Sequence, residues 1–265
     1  IDSVHPEMYA DQFGNRILRT DGGTGKVMIA CHTDTVHRQA GRQKVEVTST
    51  GIVRLPVKAM KHSNCLGADD TAGVYAALRM IQAGVKACFI FHRQEEIGGK
   101  GSQWLADRYP EWIETFDVCL SLDRRGTKDI VIEQFGTRTA SDLFAWELAD
   151  AIGMEHSPAI GIFTDSANYS HLVAECSNVS VGYQNEHTVL ETLDTVYLES
   201  LIERLCLVDW AQLAVSRDID AWDTEDDWED TQAEVTPLLD VDVEFSEEVS
   251  ELWTERDREW AKRIV

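Results

Sequence analysis

Three unbroken apolar runs stand out along the chain, at residues 26–31, 85–92 and 117–122. Strands covered on both faces, as in the middle of a parallel sheet, show this kind of run rather than alternation. Each run therefore predicts a buried strand, and each stops abruptly in polar residues: His32-Thr33-Asp34, Arg93-Gln94-Glu95-Glu96 and Asp123. Residues 14–20 and 178–182 predict shorter strands, and 130–134 one with more alternation. Two alternating segments within 44–57, either side of Ser49-Thr50-Gly51, predict a hairpin. Between these lie apolar positions at helical spacing, over 71–83 (Val74, Ala77, Leu78, Ile81), 100–108, 139–152 (Leu143, Trp146, Leu148, Ala149, Ile152), 166–175 and 197–216 (Leu201, Leu205, Val208, Leu213). Gly153 is placed to end the third of these helices. Strands alternating with helices predict an α/β protein, a three-layer α/β/α sandwich with a mostly parallel mixed central sheet. Ligands of such sheets bind beyond the carboxyl ends of the strands, which is where the polar clusters fall.

Composition narrows the picture. The 265 residues are 43% hydrophobic, enough for a full core, and contain no apolar run of the length that spans a membrane. Ile1-Asp2-Ser3-Val4-His5-Pro6 has no signal-peptide pattern and no initiator methionine. The net charge of −23 argues against nucleic acid or an anionic membrane surface as partner. That charge is uneven: residues 220–265 hold 17 acids and four bases, with 30 acids and 20 bases in the first 219 residues. The chain thus divides into a core at 1–219 and an acidic extension at 220–265. The extension carries Trp222, Trp228, Trp253 and Trp260, and Val249, Trp253, Trp260 and Ile264 share one helical stripe. An unfolded tail seldom has such a stripe, so the extension is expected to dock on the core or on a second subunit, giving a homo-oligomer. The six cysteines include no Cys-x-x-Cys pair, which disfavours a thiolate metal site. They are expected to be free thiols in a reducing, cytoplasmic setting, with Cys31, Cys88 and Cys119 inside strands.

The strand-end clusters carry the chemistry. His32, Asp69, Glu96, Asp123 and His187 supply two imidazoles and three carboxylates from five separate loops. Two zinc ions, each needing about four to five nitrogen and oxygen ligands, call for such a set with one shared carboxylate. Glu95 and Glu96 are adjacent, so one can hold metal while the other reaches a water as general base. Asp34, two residues past His32, is placed to orient that imidazole through its second nitrogen. Asp69 and Asp70 open a predicted helix, whose dipole favours negative charge there; Asp70 is left as a helix cap or a hydrogen-bond partner of the site.

His32-Thr33-Asp34, Gly67-Ala68-Asp69-Asp70-Thr71-Ala72-Gly73, Glu95-Glu96-x-Gly98, Asp123 and His187-Thr188 resemble, in order and spacing, the motif set of the co-catalytic di-zinc exopeptidases. That superfamily includes bacterial zinc aminopeptidases, peptidase T and carboxypeptidase or deacylase enzymes, and the resemblance covers residues 10–216. It implies that His32 and Asp123 bind one zinc, that Glu96 and His187 bind the other, and that Asp69 bridges them. It implies Glu95 as general base and Asp34 as the support of His32. Thr164-Asp165-Ser166 is similar to a Thr-Asp loop that borders the substrate pocket, which makes Thr164 and Asp165 candidate substrate residues.

The implied activity is hydrolysis of a peptide or small amide by a two-zinc-activated water, with manganese or cobalt as substitute metals. Relatives of the peptidase T and carboxypeptidase branch insert a dimerisation domain between the Asp and His ligands. Here Asp123 and His187 are 64 residues apart, a span filled by predicted core elements. The layout is therefore more similar to single-domain aminopeptidases, although Asp69-Asp70-Thr71-Ala72-Gly73 is worded more like peptidase T. An aminopeptidase is the first expectation. A carboxypeptidase or N-acyl amino acid deacylase is the second, followed by a glutaminyl-cyclase-like transferase and a non-catalytic binding relative.

Overall fold

The computed structural model describes residues 7–220. The acidic, tryptophan-bearing extension and its expected docking lie outside the described residues, apart from Asp220. Thirteen strands occur among the described residues: β1 (Tyr9–Ala10), β2 (Arg16–Arg19), β3 (Val27–His32), β4 (Glu46–Val47), β5 (Ile52–Arg54), β6 (Cys88–His92), β7 (Val118–Arg124), β8 (Asp129–Gln134), β9 (Thr137–Arg138), β10 (Ser157–Ile160), β11 (Glu175–Ser180), β12 (Tyr183–Gln184) and β13 (Thr192–Asp194). The helices are α1 (Ala68–Gln82), α2 (Lys100–Arg108), α3 (Pro110–Ile113), α4 (Asp142–Ile152) and α5 (Thr195–Leu205).

The central sheet has the order β1-β2-β6-β3-β7-β11-β8-β10, with β9 pairing β8 at its margin. Its middle, β6-β3-β7-β11, is parallel throughout. β1, β2 and β8 join antiparallel. This is the mostly parallel mixed sheet that the apolar runs predict, and β3, β6 and β7 are those runs. Side-chain alternation divides the core between its two faces. Ile29, Phe89, Leu120 and Leu122 pack with Ala72, Ala76 and Met80 of α1, Phe144 and Leu148 of α4, and Leu201 and Leu205 of α5. Met28, Ala30, Cys88, Ile90 and Cys119 pack on the opposite face with Leu105 of α2, Ile113 of α3, Tyr169 and Val173. Helices on both faces complete the three layers. A second, antiparallel sheet, β12-β13-β5-β4, contains the predicted hairpin as β4 and β5.

Several elements differ from the sequence pattern. The helix expected over 166–175 is a 3-10 turn, Asp165–Tyr169, and β11 already begins at Glu175. Tyr169 and Val173 are buried at helical spacing, but Tyr169 ends the 3-10 turn and Val173 lies in the chain beyond it, its N–H donating to the Tyr169 carbonyl at 2.9 Å. The helix expected over 197–216 stops at Leu205. Val208 is buried and Leu213 is packed against the core beyond that point, in chain that is no longer part of α5. In α4, Leu143 and Trp146 are 50% and 55% exposed, whereas Phe144, Ala145, Leu148, Ala149 and Ile152 form the buried face. Ser141 caps α4 by accepting from the Phe144 N–H, and Gly153 ends it in the left-handed conformation. All six cysteines are free, and Cys206 alone is not fully buried. No helix of the described residues is long and apolar enough to cross a membrane.

Candidate metal centre

The centre is assembled where parallel strands end together. β3 and β6 are in register with His32 beside His92, and β3 and β7 with Ala30 beside Ser121. Alternation then places His32, His92 and Asp123 on the sheet face that carries Met28, Ala30 and Cys119. Asp69 arrives from the start of α1, which packs on the other face. His187 comes from the loop between β12 and β13.

The entry to α1 has an irregular backbone. Gly67 is left-handed at φ 79°, and Asp69 and Asp70 have non-helical torsions although they sit within the helix bounds. The Asp69–Asp70 peptide bond is cis. Regular helix thus begins at Thr71, as the spacing predicts. Asp70 is fully buried, and both its oxygens are engaged by the backbone. Oδ1 accepts from Gly73 N–H at 2.9 Å and Oδ2 from His32 N–H at 3.0 Å. It therefore caps the helix and ties α1 to β3. Donor atoms of His32, Asp70 and Asp123 lie close enough to share a cation, but Asp70 is already committed to these N–H groups.

Asp69 faces both imidazoles. Its Oδ1 is 3.0 Å from His32 Nε2 and its Oδ2 is 3.1 Å from His187 Nε2. His32 Nε2 is also 3.5 Å from Asp123 Oδ1 and 3.9 Å from Glu95 Oε2. His187 Nε2 is 2.9 Å from Glu96 Oε2. The structure therefore brings together His32, Asp69, Glu95, Glu96, Asp123 and His187, with one carboxylate oxygen of Asp69 toward each imidazole. Donor atoms of His32, Asp69 and Glu96 lie within 4.8 Å of one another.

The charge balance of this pocket is one-sided. Burial and the neighbouring Asp123 push the Glu95 carboxyl up to about 9. Burial raises Asp123 to about 6 despite the attraction of His32. At His187 burial disfavours the cation, but hydrogen bonds to Asp69 and Glu96 outweigh it and raise the imidazole to about 10. Burial also opposes ionisation of Asp69, yet its bonds to His187 and His32 hold it well below the usual carboxylate range. The cations set against Asp69, Glu95, Glu96 and Asp123 are the two imidazoles. Buried carboxylates in excess over their cations, interleaved with imidazole nitrogens, suit divalent metal. This oxygen and nitrogen donor set is compatible with zinc, manganese or cobalt.

Three residues expected beside the ligands make the following contacts. Asp34 meets the second nitrogen of His32 through its backbone carbonyl, 3.0 Å from Nδ1, with its carboxylate oxygen 3.8 Å from the same atom. The Asp34 carboxylate instead accepts from the backbone N–H groups of Glu95 and Glu96, at 3.2 and 3.3 Å. A two-residue spacing allows either arrangement, and the neighbouring loop decides between them. Thr164 and Asp165 are each only 1% exposed. Thr164 Oγ1 donates to Asp123 Oδ2 at 2.6 Å. Asp165 accepts from Ser102 Oγ at 2.5 Å and lies 3.3 Å from His92 Nδ1, while His92 Nε2 is 2.7 Å from the Tyr169 hydroxyl. These side chains stand behind the ligands.

Other supporting residues escape the sequence pattern. Asn178 brackets the backbone of Asp123, accepting from its N–H at 2.9 Å and donating to its carbonyl at 2.7 Å. Tyr183 donates its hydroxyl to Asp123 Oδ1 at 3.1 Å. Glu191 is 1% exposed and accepts from the N–H groups of Leu66, Gly67 and Asp69. One signal could have found Glu191, a lone acid inside the otherwise uncharged stretch Thr188-Val189-Leu190-Glu191-Thr192-Leu193.

No protein-family profile matches the sequence, and no curated protein matches it. Solved structures do match. Aminopeptidase PepT of Bacillus cereus superposes with a TM-score of 0.61 at 15% identity, over 76% of this chain and 87% of its own. A tripeptidase of Staphylococcus aureus gives 0.60 at 14%, over 75% and 86%. The TET1 peptidase of Pyrococcus horikoshii gives 0.58 at 18%, over 78% and 92%. At such identities the likeness speaks to architecture, and in architecture this chain has the α/β fold of the TET and PepT-type peptidases.

Proposed function

We propose that this chain is a metal-dependent exopeptidase, an aminopeptidase that works with two zinc ions. One observation carries the reading: Asp69 turns one carboxylate oxygen to each of two imidazoles, Oδ1 to His32 and Oδ2 to His187. His32, Asp69 and Asp123 would hold one ion, and Asp69, Glu96 and His187 the other. Bound there, the ions would polarise a scissile carbonyl and lower the pKa of a water. Glu95 is the remaining carboxylate, 3.9 Å from His32 Nε2 and not otherwise needed as a ligand. The charge of the bound ions would offset the burial and the Asp123 repulsion that raise this carboxyl, and would keep it ionised, so that it would take the proton of the attacking water and return it to the leaving amine. Asp34 fixes the backbone of Glu95 and Glu96 together, so the base and the ligand beside it keep a constant spacing.

The choice of peptide substrates is supported by the neighbours, whose names are aminopeptidase, tripeptidase and TET peptidase. Self-association belongs to the same proposal, since the TET1 peptidase assembles into a tetrahedron or a large octahedral shell. Six unpaired cysteines support a reducing, cytoplasmic setting.

The test is a panel of aminoacyl anilides and N-acyl amino acids, run on the full chain. Turnover is measured as purified, after chelation, and after return of zinc, manganese or cobalt, with metal content determined in parallel. Anilide hydrolysis that chelation abolishes and metal restores is the expected result. Hydrolysis of the N-acyl amino acids alone would favour the deacylase branch. Glu95→Gln should keep its metal and lose about 10²–10⁴-fold in turnover; a metal-replete variant with wild-type rates refutes the assignment of Glu95.

A further inference from the structure

We propose that Glu191 is a positioning residue that sets the bridging carboxylate Asp69 against His187, and so determines whether the second metal is held. This rests on the two-metal reading above.

The loop at residues 66–70 turns through a left-handed Gly67 and two non-helical aspartates. Its N–H groups at Leu66, Gly67 and Asp69 therefore have no helical or strand partner. A single buried carboxylate satisfies all three: Glu191 Oε2 accepts from Leu66 and Gly67, both at 2.8 Å, and Oε1 accepts from Asp69 at 3.0 Å. Hydrogen bonds to an ionised acceptor contribute about 1.5–3 kcal/mol each, and the N–H groups would be orphaned without it.

The other end of Glu191 is tied to His187. Its own N–H donates to the Thr188 carbonyl at 3.2 Å, closing the turn that follows His187. The next residues form β13, which pairs with β5 and β12 and anchors the loop in the second sheet. One side chain thus joins the segment that presents His187 to the segment that presents Asp69, across 122 residues of sequence. The 3.1 Å separation of Asp69 Oδ2 and His187 Nε2 depends on that join. His32 and Asp123 are held by other means, namely the β3 and β7 backbones, Asp70, Asn178 and Thr164. The His187 side of the centre should therefore be the more sensitive one.

In Glu191→Gln an amide NH₂ replaces one acceptor and confronts a backbone donor. A supporting partner of a metal ligand typically contributes 10–100-fold in affinity. Cobalt(II) titration of the full chain, stripped of metal and followed by visible absorption, reads the two sites separately. The wild type should take up two equivalents. Glu191→Gln should bind the first within a few-fold of wild type and the second at least ten-fold more weakly.

Glu175→Gln is the matched control. Glu175 is equally buried and accepts from the backbone N–H groups of Ser141, Ser216 and Arg217, in hydrogen bonds that tie together Ser141, the cap of α4, and the chain after α5. It should lower the melting temperature and leave both cobalt affinities alone. If Glu191→Gln does not fold, Glu191→Asp keeps the charge and shortens the reach, and it should show the same selective loss. Two unchanged affinities in a folded Glu191 variant overturn this inference while leaving the two-metal reading intact. An equal weakening of both sites also overturns it. A wild type that takes up fewer than two equivalents overturns both.

Discussion

Gly73 offers a test in which two physical effects predict opposite signs. It lies in the regular part of α1. Helix propensity alone says that Gly73→Ala should stabilise the protein by about 1 kcal/mol. The structure says otherwise. A methyl group at this position would be driven into the backbone carbonyl of Leu122 and the Asp70 carboxylate, and would stand 2.7 Å from Asp70 Oδ2. The first obstacle is a central strand and the second is pinned between two N–H groups, so neither can move aside cheaply. Overpacking of a tight site costs about 1–3 kcal/mol, and with two immobile neighbours the upper end applies. Distortion of the Gly73 N–H bond to Asp70 adds about 1–2 kcal/mol. Against the propensity gain, the net loss is about 3 kcal/mol. With a urea m-value of roughly 2 kcal/mol/M, the unfolding midpoint should fall by about 1.5 M. The displaced atoms adjoin the centre, because Leu122 precedes Asp123 and Asp70 holds the His32 N–H. Metal affinity should therefore fall with stability. An unchanged or raised midpoint would refute the close approach of α1 to β7 described above.

Two further predictions concern residues outside the ligand set. Thr164→Val removes the hydroxyl that donates to Asp123 Oδ2, and should weaken metal binding by about 10-fold with little change in melting temperature; competition with a chromophoric chelator measures it. His156 donates from Nε2 to the Tyr197 hydroxyl, which itself donates to the Ser180 carbonyl, while Nδ1 is buried with no hydrogen-bond partner among the described residues. Burial pushes this imidazole below its usual 6.5. The unfolded chain then binds the proton more tightly than the fold, so stability is full above pH 6.5 and declines as pH drops toward the folded-state value. Urea midpoints from pH 8 to pH 5 should show that decline in the wild type and a smaller one in His156→Gln; identical profiles would exclude His156 as its source.

The parts legible in the sequence are those where one physical demand dominates. β3, β6 and β7 are covered on both faces, so their apolar runs are unbroken and their ends visible. Because these strands are parallel neighbours, their polar ends converge, and the meeting of His32, Glu95, Glu96 and Asp123 follows from the sheet order. α2 is found at its predicted bounds. Apolar spacing misleads where it has more than one solution: Tyr169 is seated by a 3-10 turn and Val173 by the chain after it, and Val208 and Leu213 by chain beyond the end of α5. Thr164 is buried against Asp123, a contact that residue identity alone does not reveal. Glu191 leaves only the weak signal of a lone acid in an uncharged stretch. Its partners are backbone N–H groups, which leave no trace in residue identity.

The tether from Glu191 also bears on how the protein is made. The side chains of the centre come from residue 32 at one extreme and residue 187 at the other, and the loop carrying Asp69 is completed only by residue 191. A growing chain presents its amino-terminal part first, and contacts between distant residues must wait for the later partner. During synthesis, His32, Asp69 and Asp123 can all have left the ribosome while the centre is still open on one side. Completion of the centre thereby waits until nearly the whole described fold has emerged.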